Sequence, residues 1–440
     1  MATRRAAVEA SQQRLAPKPG SAPSWLLRIP LLAALLFLLP ARSPAYSVLS
    51  HEALTDAAWE QGIKPLLLAR FPGSTPEQLA EARSFAYGGS IIQDLGYYPL
   101  GSFFFTNLLH YVRSGDFVEV MLRDAQTENE YAFALGAMSH YFADILGHSI
   151  GVNPSVPLRY PKLRKKYGDV VTYEDGKKQH ILVEFSFDVA EVAGGAYAPQ
   201  AYHDFIGFQV AKPLLERAFK ETYGLEMKDL FINEDMAIGT YRRAVSKTIP
   251  HMTRVAWAQK RDEIEKLMPG IQRHKFIYVM TRREYEADFG RAYRQPRFSE
   301  RFLAFVLNLF PKVAFFKFLS FKPPTPQMES LFQQSFRTST DAYLSALQQL
   351  RVGSVSLADK DFDTGETTAP DEYELADETY VELLDKLAAH NFAGVPAPMR
   401  DNLVSYYSQP VRDPPKGKER KRWEKTEREV AQLRASTATQ

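Results

Sequence analysis

The sequence predicts an all-α protein. Long stretches place apolar residues at the three- and four-residue spacing of a helix, and alternating strand patterns are scarce. A third observation concerns polar side chains. In SHYFADILGHS, Ser139 to Ser149, the residues His140, Asp144 and His148 recur every four positions and so share one helical face.

Taken in order, residues 1–45 read as a signal peptide. Arg4, Arg5, Arg14, Lys18 and Arg28 precede an apolar run at 29–39, short for a bilayer span and right for a signal core. Ser43 and Ala45 are the small residues that signal peptidase requires. They predict cleavage between Ala45 and Tyr46 and export, periplasmic or secreted; an anchor formed by 29–39 is the alternative. A helical domain then runs over 46–352. Helices are expected at 48–70, 77–95, 103–112 and 128–150, the second capped by Ser74 or Thr75 with Pro76 at its first position. In DVVTYEDGKKQHILVEF, residues 169–185, Asp175-Gly176 could turn a short hairpin. Further helices include 273–289 and 326–350.

Residues 353–376, GSVSLADKDFDTGETTAPDEYELA, are acidic and turn-rich and predict a loop. Asp359, Asp361, Asp363 and Gly365 invite calcium, but Thr364 and Pro370 stand where an EF-hand loop needs glycine and glutamate. An ordinary surface loop is the expectation. The remainder, 377–440, reads as C-terminal helices and a basic polar tail from Arg412, solvated or weakly drawn to anionic surfaces.

The chain has 440 residues, 45% of them hydrophobic, enough for a large core. A formal charge of +2 gives no global field for a polyanionic partner. With no cysteine, there is no disulfide, no thiolate nucleophile and no thiolate ligand, so any metal is held by nitrogen and oxygen.

Eight helical residues rise about 12 Å, so His140 and His148 are too far apart to share one ion. The spacing suggests the edge of a multinuclear site, with His140 serving one ion, His148 another, and Asp144 donating to one or bridging two. Partners are at hand. His180 and Glu184 are four apart in QHILVE, Asp94 precedes the turn-forming Gly96, and His110 and His51 follow the same pattern of apolar helices. Of the nine histidines, His203, His251, His274 and His390 are scattered and read as structural or exposed.

This order of residues resembles the zinc-dependent phospholipase C family and its relatives, the single-strand-specific zinc nucleases. The short gap between Asp144 and His148 is similar to that in the N-terminal domain of glycosylphosphatidylinositol-specific phospholipase D. The resemblance implies a multi-helix bundle with a trinuclear zinc site. One ion would take the amine and carbonyl of mature Tyr46, His51 and Asp144. A second would take Asp94, His110, His140 and Asp144, and a third His148, His180 and Glu184. It further implies attack on a phosphodiester by metal-activated hydroxide, with Asp94 assisting as a base.

The substrate expected from the closer likeness is a phospholipid, cleaved to release a phosphorylated headgroup. A nuclease of the same fold, with nucleic acid as partner, is the alternative, as is a metal-binding protein without turnover. RFLAFVLNLFPKVAFFKFLSFK, residues 301–322, is rich in phenylalanine and leucine with interspersed lysines, a composition shared by core helices and by segments that dip into lipid.

Overall fold

A computed structural model describes residues 48–194, 208–245, 324–409 and 418–436, with positions 257, 261, 262 and 265 between them. The signal segment, Tyr46, the expected helix 273–289, the segment 301–322 and His203, His251 and His274 lie outside the described residues.

The described chain is helical. It begins with α1 (Val48–Ala58), a π-helical turn at Trp59–Ile63, and α2 (Lys64–Arg70). There follow α3 (Pro76–Gly89), a 3-10 turn (Ile92–Tyr97), α4 (Phe103–Tyr111), α5 (Ser114–Asp124) and α6 (Glu128–Leu146), which runs into a second π-helical turn at Gly147–Val152. Next come α7 (Asn153–Arg159), α8 (Pro161–Tyr167), α9 (Lys177–Gly194), α10 (Lys212–Tyr223) and α11 (Glu234–Arg243). The C-terminal part holds α12 (Pro326–Val352), α13 (Glu374–Ala389), α14 (Ala397–Tyr406) and α15 (Lys418–Ala435). Among the described residues there is no β-strand; one isolated antiparallel bridge joins Lys360 and Thr367.

Local chemistry starts these helices where the sequence says. Thr75 and Gln78 form a reciprocal capping box at α3, and Ser102 and Thr127 accept the third backbone N–H of α4 and α6. The central element is α6. Every side chain from Tyr131 to Tyr141 is buried, so this helix has no solvent face over that span and is surrounded by others. Small residues let neighbours close in. A Cβ on Gly89 would sit 1.9 Å from the Phe133 carbonyl oxygen, and one on Gly136 would sit 2.0 Å from that of Ala86. The backbones of α3 and α6 therefore touch at two glycines. On the other side, the Tyr343 hydroxyl of α12 donates to the Leu135 carbonyl at 2.8 Å.

Three expectations are corrected. Residues 169–185 contain no hairpin: the turn at 173–176 starts α9, and Gly176 accepts the His180 N–H at 2.9 Å through its carbonyl. The apolar positions Ile181, Val183 and Phe187 have helical spacing as well as alternation, and tertiary burial decides for the helix. The basic end is a helix, α15, whose Val430 and Leu433 are buried while its charges stay outside. Most consequentially, 353–376 is no surface loop. Phe362 has no exposure, Asp361 and Asp363 have 3% and 1%, and the segment packs under the helices that carry the histidines. Asp359 accepts the N–H groups of Gly115 and Asp116 at 3.1 Å each, capping α5 from 240-odd residues away, and the Phe362 N–H donates to the His110 carbonyl at 3.1 Å.

Candidate metal centre

Eight of the nine ligand positions inferred from the sequence are described, and all eight are buried: His51, Asp94, His110, His140, Asp144, His148, His180 and Glu184. They meet in one place. The ninth, Tyr46, lies outside the described residues.

The main chain around each ligand is tied down. The 3-10 turn bearing Asp94 is fixed to α4 by Thr106, whose hydroxyl donates to the Gln93 carbonyl at 2.7 Å and accepts the Gly96 N–H at 2.8 Å. Gln93 in turn donates from Nε2 to the Ala137 carbonyl of α6 at 3.0 Å. His51 comes from α1, with its ring stacked on His140 at 4.2 Å between centroids. The π-helical turn after α6 widens the coil at Gly147–Val152, just where His148 must reach a different ion from His140.

Outer hydrogen bonds set three of the imidazoles. Nδ1 of His110 donates to the Thr106 carbonyl at 2.8 Å, and Nδ1 of His140 donates to that of Ser90 at 2.9 Å. A carbonyl can only accept, so in both rings the proton sits on Nδ1 and the Nε2 lone pair faces inward. His180 is reversed. The Asn153 amide donates from Nδ2 to the Asp363 carbonyl at 2.6 Å, which turns its Oδ1 to His180 Nε2 at 2.8 Å. The free lone pair of His180 is then on Nδ1, 2.5 Å from Glu184 Oε1.

The inward atoms form three groups: His51, Asp94 and His140; His110, His140 and Asp144; and His148, His180 and Glu184. Within each group one ligand atom per residue lies within 4.8 Å of the others. Asp144 stands between the first two. Its Oδ1 is 3.4 Å from His51 Nε2, and its Oδ2 is 3.0 Å from His140 Nε2 and 3.3 Å from His110 Nε2. Asp94 Oδ1 is 3.4 Å from His110 Nε2 and Oδ2 is 3.9 Å from His51 Nε2. The grouping differs in one respect from that implied by the resemblance: His51 gathers with Asp94 and His140 as well as with Asp144.

These donor sets fit metal ions. Both oxygens of Asp94, Asp144 and Glu184, Nε2 of His110 and of His140, Nδ1 of His180 and both ring nitrogens of His148 are buried without a hydrogen bond. Close approach without alignment leaves each such atom with its desolvation cost, unless a cation sits among them. The electrostatics agree. Burial pushes the Glu184 carboxyl well up and His180 well down, and burial with the adjacent imidazoles depresses His51. Burial opposes a charged His110, but Asp144 and Asp94 outweigh it and lift this imidazole to about 10. Burial likewise opposes the Asp144 carboxylate, and His140 and His110 outweigh it, holding Asp144 well below the usual range. Protons thus occupy positions that metal cations suit better. Imidazole and carboxylate donors, with no thiolate in the chain, suit zinc.

A buried cluster of this kind on facing helices defines a metal-dependent hydrolase centre. The model of the zinc-dependent phospholipase C family matches residues 50–233, and this region belongs to that family. The chain is accordingly a zinc-dependent phospholipase C-type hydrolase, with a phosphodiester in a phospholipid as the implied substrate. No curated protein and no solved structure matches the chain. No helix among the described residues is long and apolar enough to cross a membrane.

Sequence reasoning missed two residues here. Asn153 and Asp363 carry no spacing signal. What 353–376 does show is Phe362, a large apolar residue between two aspartates, and such a residue seeks burial.

Proposed function

We propose that this protein is an exported phospholipase C that uses three zinc ions to release a phosphorylated headgroup from a phospholipid. The observation that supports this best is the convergence, inside the family-matched region, of three buried donor groups whose inward atoms lack hydrogen bonds. His51, Asp94, His140 and Asp144 would serve the first ion together with the main-chain amine and carbonyl of mature Tyr46. Asp94, His110, His140 and Asp144 would serve the second, and His148, His180 and Glu184 the third. Zinc ions held there would neutralise the phosphodiester and lower the pKa of water.

The chain's own residues divide the remaining work. Asp144, facing imidazoles with both oxygens, sets the spacing of the first two subsites. Asp94 is the base we assign to the water that attacks phosphorus, because its Oδ atoms border both subsites. Thr106 and Gln93 hold Asp94 in that position. Residues 301–322 supply the contact with the lipid surface under this reading, on composition. Signal removal would free the Tyr46 amine, five residues before His51, so the first subsite would be completed after export.

The test is zinc content of protein beginning at Tyr46, measured with hydrolysis of phosphatidylcholine and of single-stranded DNA. About three zincs with headgroup phosphate released is the expected result. Nucleotide release without lipid turnover would replace the lipase by a nuclease, and absence of bound zinc after reconstitution would overturn the reading. One extra residue before Tyr46 is expected to lower zinc content and activity.

A further inference from the structure

The segment 353–376 lies beyond the family-matched residues 50–233, yet it reaches the third donor group. His110, His140 and His180 each spend one ring nitrogen on an outer acceptor and turn the other inward. His148 has no such hydrogen bond: both of its nitrogens are buried and unpaired. A carboxylate nevertheless faces each of them. Asp144 Oδ1 is 3.8 Å from Nε2, and Asp363 Oδ1 is 3.9 Å from Nδ1.

Asp363 is held for that task. Its Oδ2 accepts the hydroxyls of Tyr111 at 2.7 Å and Tyr373 at 2.6 Å, which leaves Oδ1 for the ring. Its main-chain carbonyl accepts the Asn153 amide that orients His180. Its N–H and that of Thr364 are bound by Asp361 Oδ1 at 2.8 and 2.9 Å, so the turn that presents it is itself fixed. One residue therefore stands behind two of the three donors of this group, one through its carboxylate and one through its backbone.

We propose that Asp363 is a positioning residue of the third metal subsite, accepting the Nδ1 proton of His148 so that Nε2 is presented to the ion. The gap of 3.9 Å closes by a small rotation of the ring when Nε2 is drawn to a cation. Outer carboxylates of this kind fix the tautomer and raise the basicity of a ligating imidazole. The proposal rests on the zinc reading above, and it makes that subsite depend on a segment outside the family domain.

The experiment measures bound zinc in the full mature chain against graded chelator, for wild type, Asp363→Asn and Asp359→Asn at neutral pH, with melting curves of each metal-free protein. In D363N two tyrosine donors claim the amide oxygen, so the amide NH2 faces His148 and its acceptor is lost. The expected result is one zinc weakened by about 10- to 100-fold, the others retained, and a metal-free melting point unchanged. D359N, which alters the same loop away from the ring, is expected to keep its full zinc content. Unchanged zinc affinity in D363N would overturn the proposal. So would the same loss in D359N, or a fall in the metal-free melting point of D363N, since either makes Asp363 a fold contact. If wild type itself binds no zinc, the metal reading fails instead, and the two failures are distinguishable.

Discussion

Nε2 of His140 lies 3.0 Å from Oδ2 of Asp144, one helical turn further along α6. The contact lacks hydrogen-bond geometry, and both atoms are buried without another partner. Two atoms that would each accept a cation are thus held at the separation of two ligands on one ion.

Asp144→Asn tests that relationship. The amide keeps the shape but removes the negative charge that balances His140, His110 and His51. Zinc should be lost from the two subsites that Asp144 borders, while His148, His180 and Glu184 keep theirs. Hydrolysis should fall by about 100-fold or more, since the ions that align substrate and water lose their spacing. Metal analysis beside phosphatidylcholine turnover checks both, and full zinc content would refute the bridging role.

The crossing of α3 and α6 gives a second prediction. Gly136→Ala places a methyl group 2.0 Å from the Ala86 carbonyl oxygen, so the helices must part. The expected destabilisation is about 1–3 kcal/mol or more, as for other overpacked interiors. The damage should also reach the metal. Ser90, just past α3, holds His140 through its carbonyl, so a displaced α3 loosens that ring. A calorimetric scan with and without zinc is the measurement. The gap between the two melting points should shrink relative to wild type.

How much of this was legible follows from where each signal lies along the chain. The pattern His140, Asp144, His148 is local and periodic, so one helix places it. Asp94, His110, His180 and Glu184 could be grouped only through the resemblance, because their meeting depends on how α4, α6 and α9 pack. Asp363 was legible in neither way. Its bond to Tyr111 spans 252 residues, and its neighbours in sequence are turn formers, which describe a loop equally well whether it lies inside or outside. Residues 169–185 failed for a different reason: short apolar runs fit both periods, and burial of Ile181, Val183 and Phe187 on a helix settled the matter.

A third prediction concerns pH. Burial, reinforced by Asp116, pushes the Asp359 carboxyl up to about 6, above its unfolded value of about 3.9. A carboxyl raised on folding favours the folded state while protonated. That contribution is fully present below about pH 4 and is lost as pH rises through about 6. Asp359→Asn keeps an oxygen for the Gly115 and Asp116 N–H groups but cannot ionise. The melting temperature of metal-free wild type minus that of D359N should therefore fall between pH 4 and pH 7. A constant difference across that window would rule the mechanism out.

Thr106 is the hinge between the turn that carries Asp94 and the helix that carries His110. Its hydroxyl donates to the Gln93 carbonyl and accepts the Gly96 N–H, and its own carbonyl takes the His110 Nδ1 proton. Thr106→Val preserves volume but strands both of the first two groups in a buried setting, at a cost of about 2–4 kcal/mol for the pair. Thr106→Ser keeps the hydroxyl and gives up a methyl group, costing about 1 kcal/mol. The two variants separate packing from hydrogen bonding. If the hydroxyl positions Asp94, the valine variant should lose zinc from the subsites that Asp94 borders and drop in turnover, while the serine variant keeps both with a modest fall in melting temperature. Equal zinc loss in the two would mean that the methyl group, packed beneath the turn, does the positioning instead.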